Sequence, residues 1–321
     1  MDSRILTAEG ARAAGVDRPW EESNEAWWDW YLSLADRSAS VPPERLVDVA
    51  PPPAVEVPTM SDLAHELAQP YPLDPADAER FRADGYVKLP GVLSPAALAA
   101  ARAEVGRLAA AGPGPGRSGF VSLDGMWRES DLMRAFALSP RLGRLAADLL
   151  GVADVRLYHD NVLSKDPGCG RTPWHFDAHH FPIASRSIVT SWIPLQAIGL
   201  AMGPLTFARG IEAWRVADDV PFSAGDDSYD RGVGEAFRRA GVEVDETPFA
   251  LGEMSFHHAY AFHAAGPNGT TAPRTVMATT YFEDGARVVD APTMVSGDWA
   301  QFIPGARPGE PIDTPLNPVV S

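Results

Sequence analysis

The stretch Thr172-Pro-Trp-His-Phe-Asp-Ala-His-His-Phe-Pro-Ile183 places His175 and Asp177 two residues apart, between Trp174, Phe176 and Phe181. Aromatic and apolar flanks around polar residues predict a strand over Trp174–Phe181. Side chains alternate across a strand, so residues i and i+2 share a face. An imidazole and a carboxylate then point into one cavity. Those are two of the three ligands of a 2-His-1-carboxylate facial triad, which leaves open positions on Fe(II).

The third ligand has to come from a distant segment. Gly252 to Asn268 contains His257, His258 and His263. His263 is the best candidate, just before the Gly266-Pro267-Asn268 turn, where a strand would end at a barrel mouth; His257 is the fallback. Arg274, eleven positions after His263, would begin the next strand and face the same cavity if the two strands are antiparallel neighbours. A guanidinium deep in a barrel needs an anion, because unpaired buried charge is costly. A dicarboxylate cosubstrate would supply one, each charge-assisted bond contributing roughly 1.5–3 kcal/mol.

The elements that must hold these residues are short and β-rich. Val155–Leu163, Trp174–Phe181, Ile188–Leu195, Pro204–Phe207, Phe249–Phe256 and Thr275–Phe282 read as strands separated by Gly and Pro turns. That pattern belongs to an antiparallel sandwich or barrel. Arg209–Pro248, polar and acidic with scattered aromatics, reads as a long lid or binding loop, or else a disordered segment. Upstream, helices are expected over Asp74–Asp84, Pro95–Ala111 (capped by Ser94) and Pro140–Leu150, with a short strand at Tyr86–Leu89. Val41–Pro58 is a proline-rich, extended connector. Glu21–Asp36 reads as an amphipathic helix whose Trp27, Trp28, Trp30 and Tyr31 dock it on the body, or else contact substrate or a second subunit. The division is therefore residues 1–71, a helical extension and connector, and residues 72–321, the β domain with a lid at about 209–248.

A formal charge of −16 argues against nucleic-acid and anionic-membrane partners. One cysteine, Cys169, gives no disulfide framework within the chain and points to a reducing compartment. Met1–Trp20 lacks an apolar core segment, and no run of eighteen apolar residues occurs, so the expectation is a cytoplasmic protein acting on a small molecule.

Several runs together resemble the phytanoyl-CoA dioxygenase family: Tyr158-His159-Asp160-Asn161, Thr172–Asp177, Trp192-Ile193-Pro194-Leu195 and Gly203-Pro204-Leu205-Thr206-Phe207. So do Phe256-His257-His258 through Pro267-Asn268 with Arg274, and Pro315-Leu316-Asn317-Pro318. The resemblance spans roughly residues 72–321. It implies a mainly β fold with peripheral helices around a double-stranded β-helix, the jelly-roll or cupin-like core. It also implies Fe(II), O₂ and 2-oxoglutarate as cosubstrate, with succinate and CO₂ as co-products. Carried over by position, His175, Asp177 and His263 would hold iron and Arg274 would grip the distal carboxylate of 2-oxoglutarate. Trp192, Asn161 and Thr172 would line that pocket. The chain departs from the family pattern at Phe176, Ala264-Ala265 and Gly210-Ile211-Glu212, and the upstream lysine of some members has no counterpart near Phe120-Val121. Relatives that halogenate replace the carboxylate with a small residue, so Asp177 implies hydroxylation or another oxidation.

Trp174, Phe176, His179, His258 and Trp214 are the candidate substrate contacts. The aromatic lid favours a hydrophobic or polycyclic molecule, and the Ala, Arg, Gly and Pro abundance hints at a GC-rich genome with natural-product pathways. Two other readings compete. A non-catalytic jelly-roll binding protein would have no need of both triad and Arg274. A cupin-type metal isomerase or hydrolase would not need a keto acid, and so would be indifferent to Arg274.

Overall fold

The computed structural model describes residues 41–111, 119–221, 227–292 and 299–320; the expected helix Glu21–Asp36 lies outside them. Along the chain the described strands are β1 (Tyr86–Leu89), β2 (Phe120–Asp124), β3 (Val155–Lys165), β4 (Thr172–His175) and β5 (Ile188–Pro194). They continue with β6 (Leu205–Ala208), β7 (Val244–Asp245), β8 (Met254–His258), β9 (His263–Ala265) and β10 (Arg274–Glu283). One six-stranded sheet has the order β1-β8-β5-β10-β3-β2, and a four-stranded sheet the order β4-β9-β6-β7. Every ladder is antiparallel. From β3 to β6, and again from β7 to β10, successive strands pass from one sheet to the other, which is the jelly-roll solution to unpaired edges.

Strand β10 is the hub, laddered to β3 on one side and β5 on the other. Its two faces do different work. Val276 and Ala278, with Trp192 of β5, pack inward against Leu205, Phe207 and Ala265 of the smaller sheet. Met277 and Tyr281, with Val189 and Ile193, face outward into a second core shared with helices. Burial on both faces explains why these strands read as continuous apolar runs rather than alternating ones.

The outer core is closed by α1 (Met60–Ala68), α2 (Pro75–Asp84), α3 (Pro95–Ala111), α4 (Met126–Glu129), α5 (Asp131–Ala137) and α6 (Pro140–Leu150). Helix α2 begins where the Asp74 side chain accepts from the Ala76 N–H and Pro75 takes the first position. It ends at Gly85 (φ 83°), a left-handed position that suits glycine. Helix α1 lies in the segment assigned to the extension, yet Leu63 and Leu67 are buried in the outer core and the Leu67 carbonyl accepts from Ser139 Oγ at 3.0 Å. The packed body thus starts before residue 72.

Two expectations need correction. The strand expected over Trp174–Phe181 stops at His175, its last residue paired with β9, and the chain enters a 3₁₀ turn at Asp177–His179. The Arg209–Pro248 segment is not a bare loop. It carries a 3₁₀ turn at Ala213–Ala217, helix α7 (Ser228–Ala240) and strand β7. Trp214, Val233 and Phe237 bury against Trp174, Phe176 and Phe262, and that apolar contact orders the insert. Among the described residues, no helix is long and apolar enough to cross a membrane.

Candidate metal centre

His175 closes β4 and His263 opens β9, directly opposite one another in the ladder, with ring centroids 4.2 Å apart. Asp177 enters from the turn that follows. Its Oδ1 lies 3.7 Å from His175 Nε2 and 3.9 Å from His263 Nε2. One ligand atom from each of the three falls within 4.8 Å of the others.

The backbone sets which nitrogen is available. His175 Nδ1 is 2.8 Å from the Pro173 carbonyl, and His263 Nδ1 is 3.0 Å from the Ala261 carbonyl. A carbonyl only accepts, so each Nδ1 carries the hydrogen and donates. Each Nε2 lone pair is thereby left facing the cavity. Burial holds both imidazoles below their ordinary range, hence neutral. Burial works to raise the Asp177 carboxyl, but His263, His257 and His175 around it prevail and hold it below the usual carboxylate range. Two neutral imidazoles and one carboxylate form the protonation state a divalent cation requires.

His257, the alternative third ligand, comes from β8 in the facing sheet. Its Nε2 lies 3.4 Å from Asp177 Oδ2, the carboxylate oxygen turned away from the other two histidines. His258 follows on the opposite face of β8. Strand alternation turns it to the helical layer, where its ring packs against Phe81 of α2 and its Nδ1 accepts from the Tyr260 N–H. Burial, reinforced by Arg186, pushes its imidazole down to about 4.

Arg274 is the first residue of β10, 3% exposed, and its Nη1 donates to the Gly203 carbonyl at 2.8 Å. Its guanidinium carbon stands 5.7 Å from the centre of the Trp192 ring. Asn161 and Trp192 flank Ala278 on the same inner row of the larger sheet, while Thr172 pairs with Ala265 on the smaller one. The expected hairpin between His263 and Arg274 is not formed. Strands β9 and β10 belong to opposite sheets, and the connecting turn crosses between them. Asn268 knots that turn, its Nδ2 donating to the carbonyls of Lys165, Asp166 and Ala272.

The remaining candidates join the insert to the site. Trp174 meets Phe237 edge-on at 5.1 Å, and Phe176 lies 5.3 Å from Trp214. His179 belongs to the 3₁₀ turn after Asp177. Sequence reasoning missed two groups. Asp230 of α7 accepts from the Trp174 N–H at 3.0 Å and pairs with Arg171 at 2.9 Å, pinning the insert beside His175 and Asp177. Lys165 ends β3, fully buried beside Arg274. The alternation Asn161-Leu163-Lys165 was the signal for the second, since it sets a lysine on the inner face.

The family model described as phytanoyl-CoA dioxygenase (PhyH) matches residues 81–276. The chain belongs to the phytanoyl-CoA dioxygenase family. Membership makes it a non-haem iron, 2-oxoglutarate-dependent enzyme, and the histidine–carboxylate cluster fits that metal. No curated protein sequence matches the chain. Among solved structures it is similar to SnoN, a non-heme alpha ketoglutarate dependent epimerase from nogalamycin biosynthesis, at 29% identity and TM-score 0.62. That match covers 77% of this chain and 100% of SnoN. SnoN has also been solved with Fe3+, alpha ketoglutarate and nogalamycin RO. SnoK, a carbocyclase from the same biosynthesis, shares the fold at 21% identity and TM-score 0.64, covering 79% of this chain and 100% of SnoK. EctD from S. alaskensis, with bound Fe, shares it at 18% identity and TM-score 0.57, over 77% and 86% of the two chains.

Proposed function

We propose that this family member oxidises a small hydrophobic or polycyclic natural product, with hydroxylation as the first reading, and releases succinate and CO₂. His175, Asp177 and His263 would hold the iron. Arg274 would grip the distal carboxylate of 2-oxoglutarate, with Trp192, Asn161 and Thr172 around it. The iron supplies the oxidising chemistry when bound; the chain's own part is geometry, orientation and exclusion of water. Trp174, Phe176 and Trp214 form an aromatic joint beneath the insert, a wall suited to an apolar substrate. The observation that carries the reading is the pair of carbonyl-locked imidazoles whose Nε2 atoms converge on Asp177 Oδ1.

The similarity to SnoN supports a second outcome, epimerisation, on the same substrate class. Both outcomes are tested by screening polycyclic small molecules for stimulated succinate release under Fe(II), 2-oxoglutarate and ¹⁸O₂. A product heavier by one labelled oxygen identifies hydroxylation, and a product of unchanged mass with inverted configuration identifies epimerisation. Succinate release that persists in His175→Ala would refute the ligand assignment. The intracellular location expected from the sequence remains part of this proposal.

A further inference from the structure

Lys165 and Arg274 are register partners, the last residue of β3 directly opposite the first of β10. They are 0% and 3% exposed. Like charges directly opposite one another destabilise a ladder, and a cation out of water is costly without an anion. Burial, and then the Arg274 charge, push the Lys165 amine well below the ordinary lysine range. Arg171 adds to that push, and the one opposing influence is Cys169, not a carboxylate. Among the described residues Lys165 takes part in no ion pair, and its Nζ donates to the Gly266 carbonyl at 3.0 Å.

The two head groups also finish at one place. Arg274 donates to the Gly203 carbonyl, and a Cβ built on Gly203 would come within 2.4 Å of the Gly266 oxygen that Lys165 holds. The guanidinium and the amine therefore converge where the smaller sheet's Gly203 and Gly266 backbones touch, beside the Trp192 ring. Sequence-distant residues have been brought into like-charge register in the interior. A carboxylate offers two oxygens with about four lone-pair positions, enough for a guanidinium and an ammonium together.

We propose that Lys165 is the second cation of the cosubstrate pocket, sharing the distal carboxylate of 2-oxoglutarate with Arg274 and selecting a 2-oxo diacid over a 2-oxo monoacid. This rests on the cosubstrate reading above. Lys165 is then a specificity residue for the cosubstrate, remote from the metal.

Isothermal titration calorimetry of the full chain loaded with Mn(II) tests it, using 2-oxoglutarate and 2-oxovalerate, which lacks the distal carboxylate. Lys165→Met should weaken 2-oxoglutarate binding at least tenfold and leave 2-oxovalerate affinity as in the wild type. Without ligand, its melting temperature should equal or exceed the wild type's, because a buried amine that is costly to desolvate has been replaced by an apolar chain. Lys165→Gln, which keeps a donor for the Gly266 carbonyl, should show the same tenfold loss. Unchanged 2-oxoglutarate affinity in either folded variant overturns the assignment while leaving the cosubstrate reading intact. Loss of both ligands to equal extent, or failure of both variants to fold, overturns it too, by making the lysine structural. If the wild type binds 2-oxovalerate as tightly as 2-oxoglutarate, or neither, the cosubstrate reading itself fails and the lysine's role falls with it.

Discussion

The metal end and the cation end of the cavity are built on opposite principles. At the metal end the polar groups answer one another: two imidazoles are tied to carbonyls, and His257 faces the second oxygen of Asp177. There the His175 and His263 rings are neutral and Asp177 carries the negative charge. At the other end Lys165 and Arg274 bring an amine and a guanidinium into register, donating to the backbone carbonyls of Gly266 and Gly203. A carbonyl dipole satisfies a donor without neutralising its charge. One end thus offers ligand atoms to a cation; the other offers donors to an anion. A chelating 2-oxo diacid is the kind of molecule that spans such a pair.

The most severe way to break this comparison is at the metal end. His263→Ala removes a proposed ligand, and iron-dependent succinate release should fall to background in a coupled assay while the circular dichroism spectrum stays folded. Next comes Arg274→Ala, which should leave metal binding intact and weaken 2-oxoglutarate by about 10–100-fold, the scale of one or two charge-assisted bonds. Equal loss of metal affinity would show that the two ends are not separable.

Support of the metal end can be probed through the insert. Asp230→Ala strips the Trp174 N–H and Arg171 of their shared partner. Stability should drop by about 2 kcal/mol in urea titration, the usual cost of a stranded buried donor. Limited proteolysis within residues 209–248 should accelerate with it; a cleavage rate equal to the wild type's would mean that the aromatic joint alone holds the insert.

The smallest effect sharpens how the wall behind the metal end is tuned. His258 has a folded-state value near 4 against 6.5 for a free imidazole. Between those values the unfolded chain takes up a proton that the folded chain refuses. Stability is therefore lost as pH falls from 6.5 towards 4, by about 1 kcal/mol at pH 5.5. His258→Phe should flatten that part of the stability–pH curve, read from urea midpoints; an unaltered slope would assign the acid sensitivity to other groups.

Read as sequence, the chain already disclosed its donors: a His-x-Asp, a late histidine and an arginine eleven beyond are side-chain chemistry, legible without coordinates. Helix ends were equally legible at Asp74, Pro75 and Gly85, because capping acts over a few neighbouring residues. Tertiary structure alone decided that Asp177 leaves the strand that carries His175, and that His263 and Arg274 approach from opposite sheets. It alone set Lys165 across from Arg274 and His258 away from the cavity. The physical reason is range. Donor chemistry, caps and turns are settled among residues a few positions apart. Which strand lies against which, and in what register, is settled by burial of distant apolar faces, and one residue of slip would send every side chain to the other side.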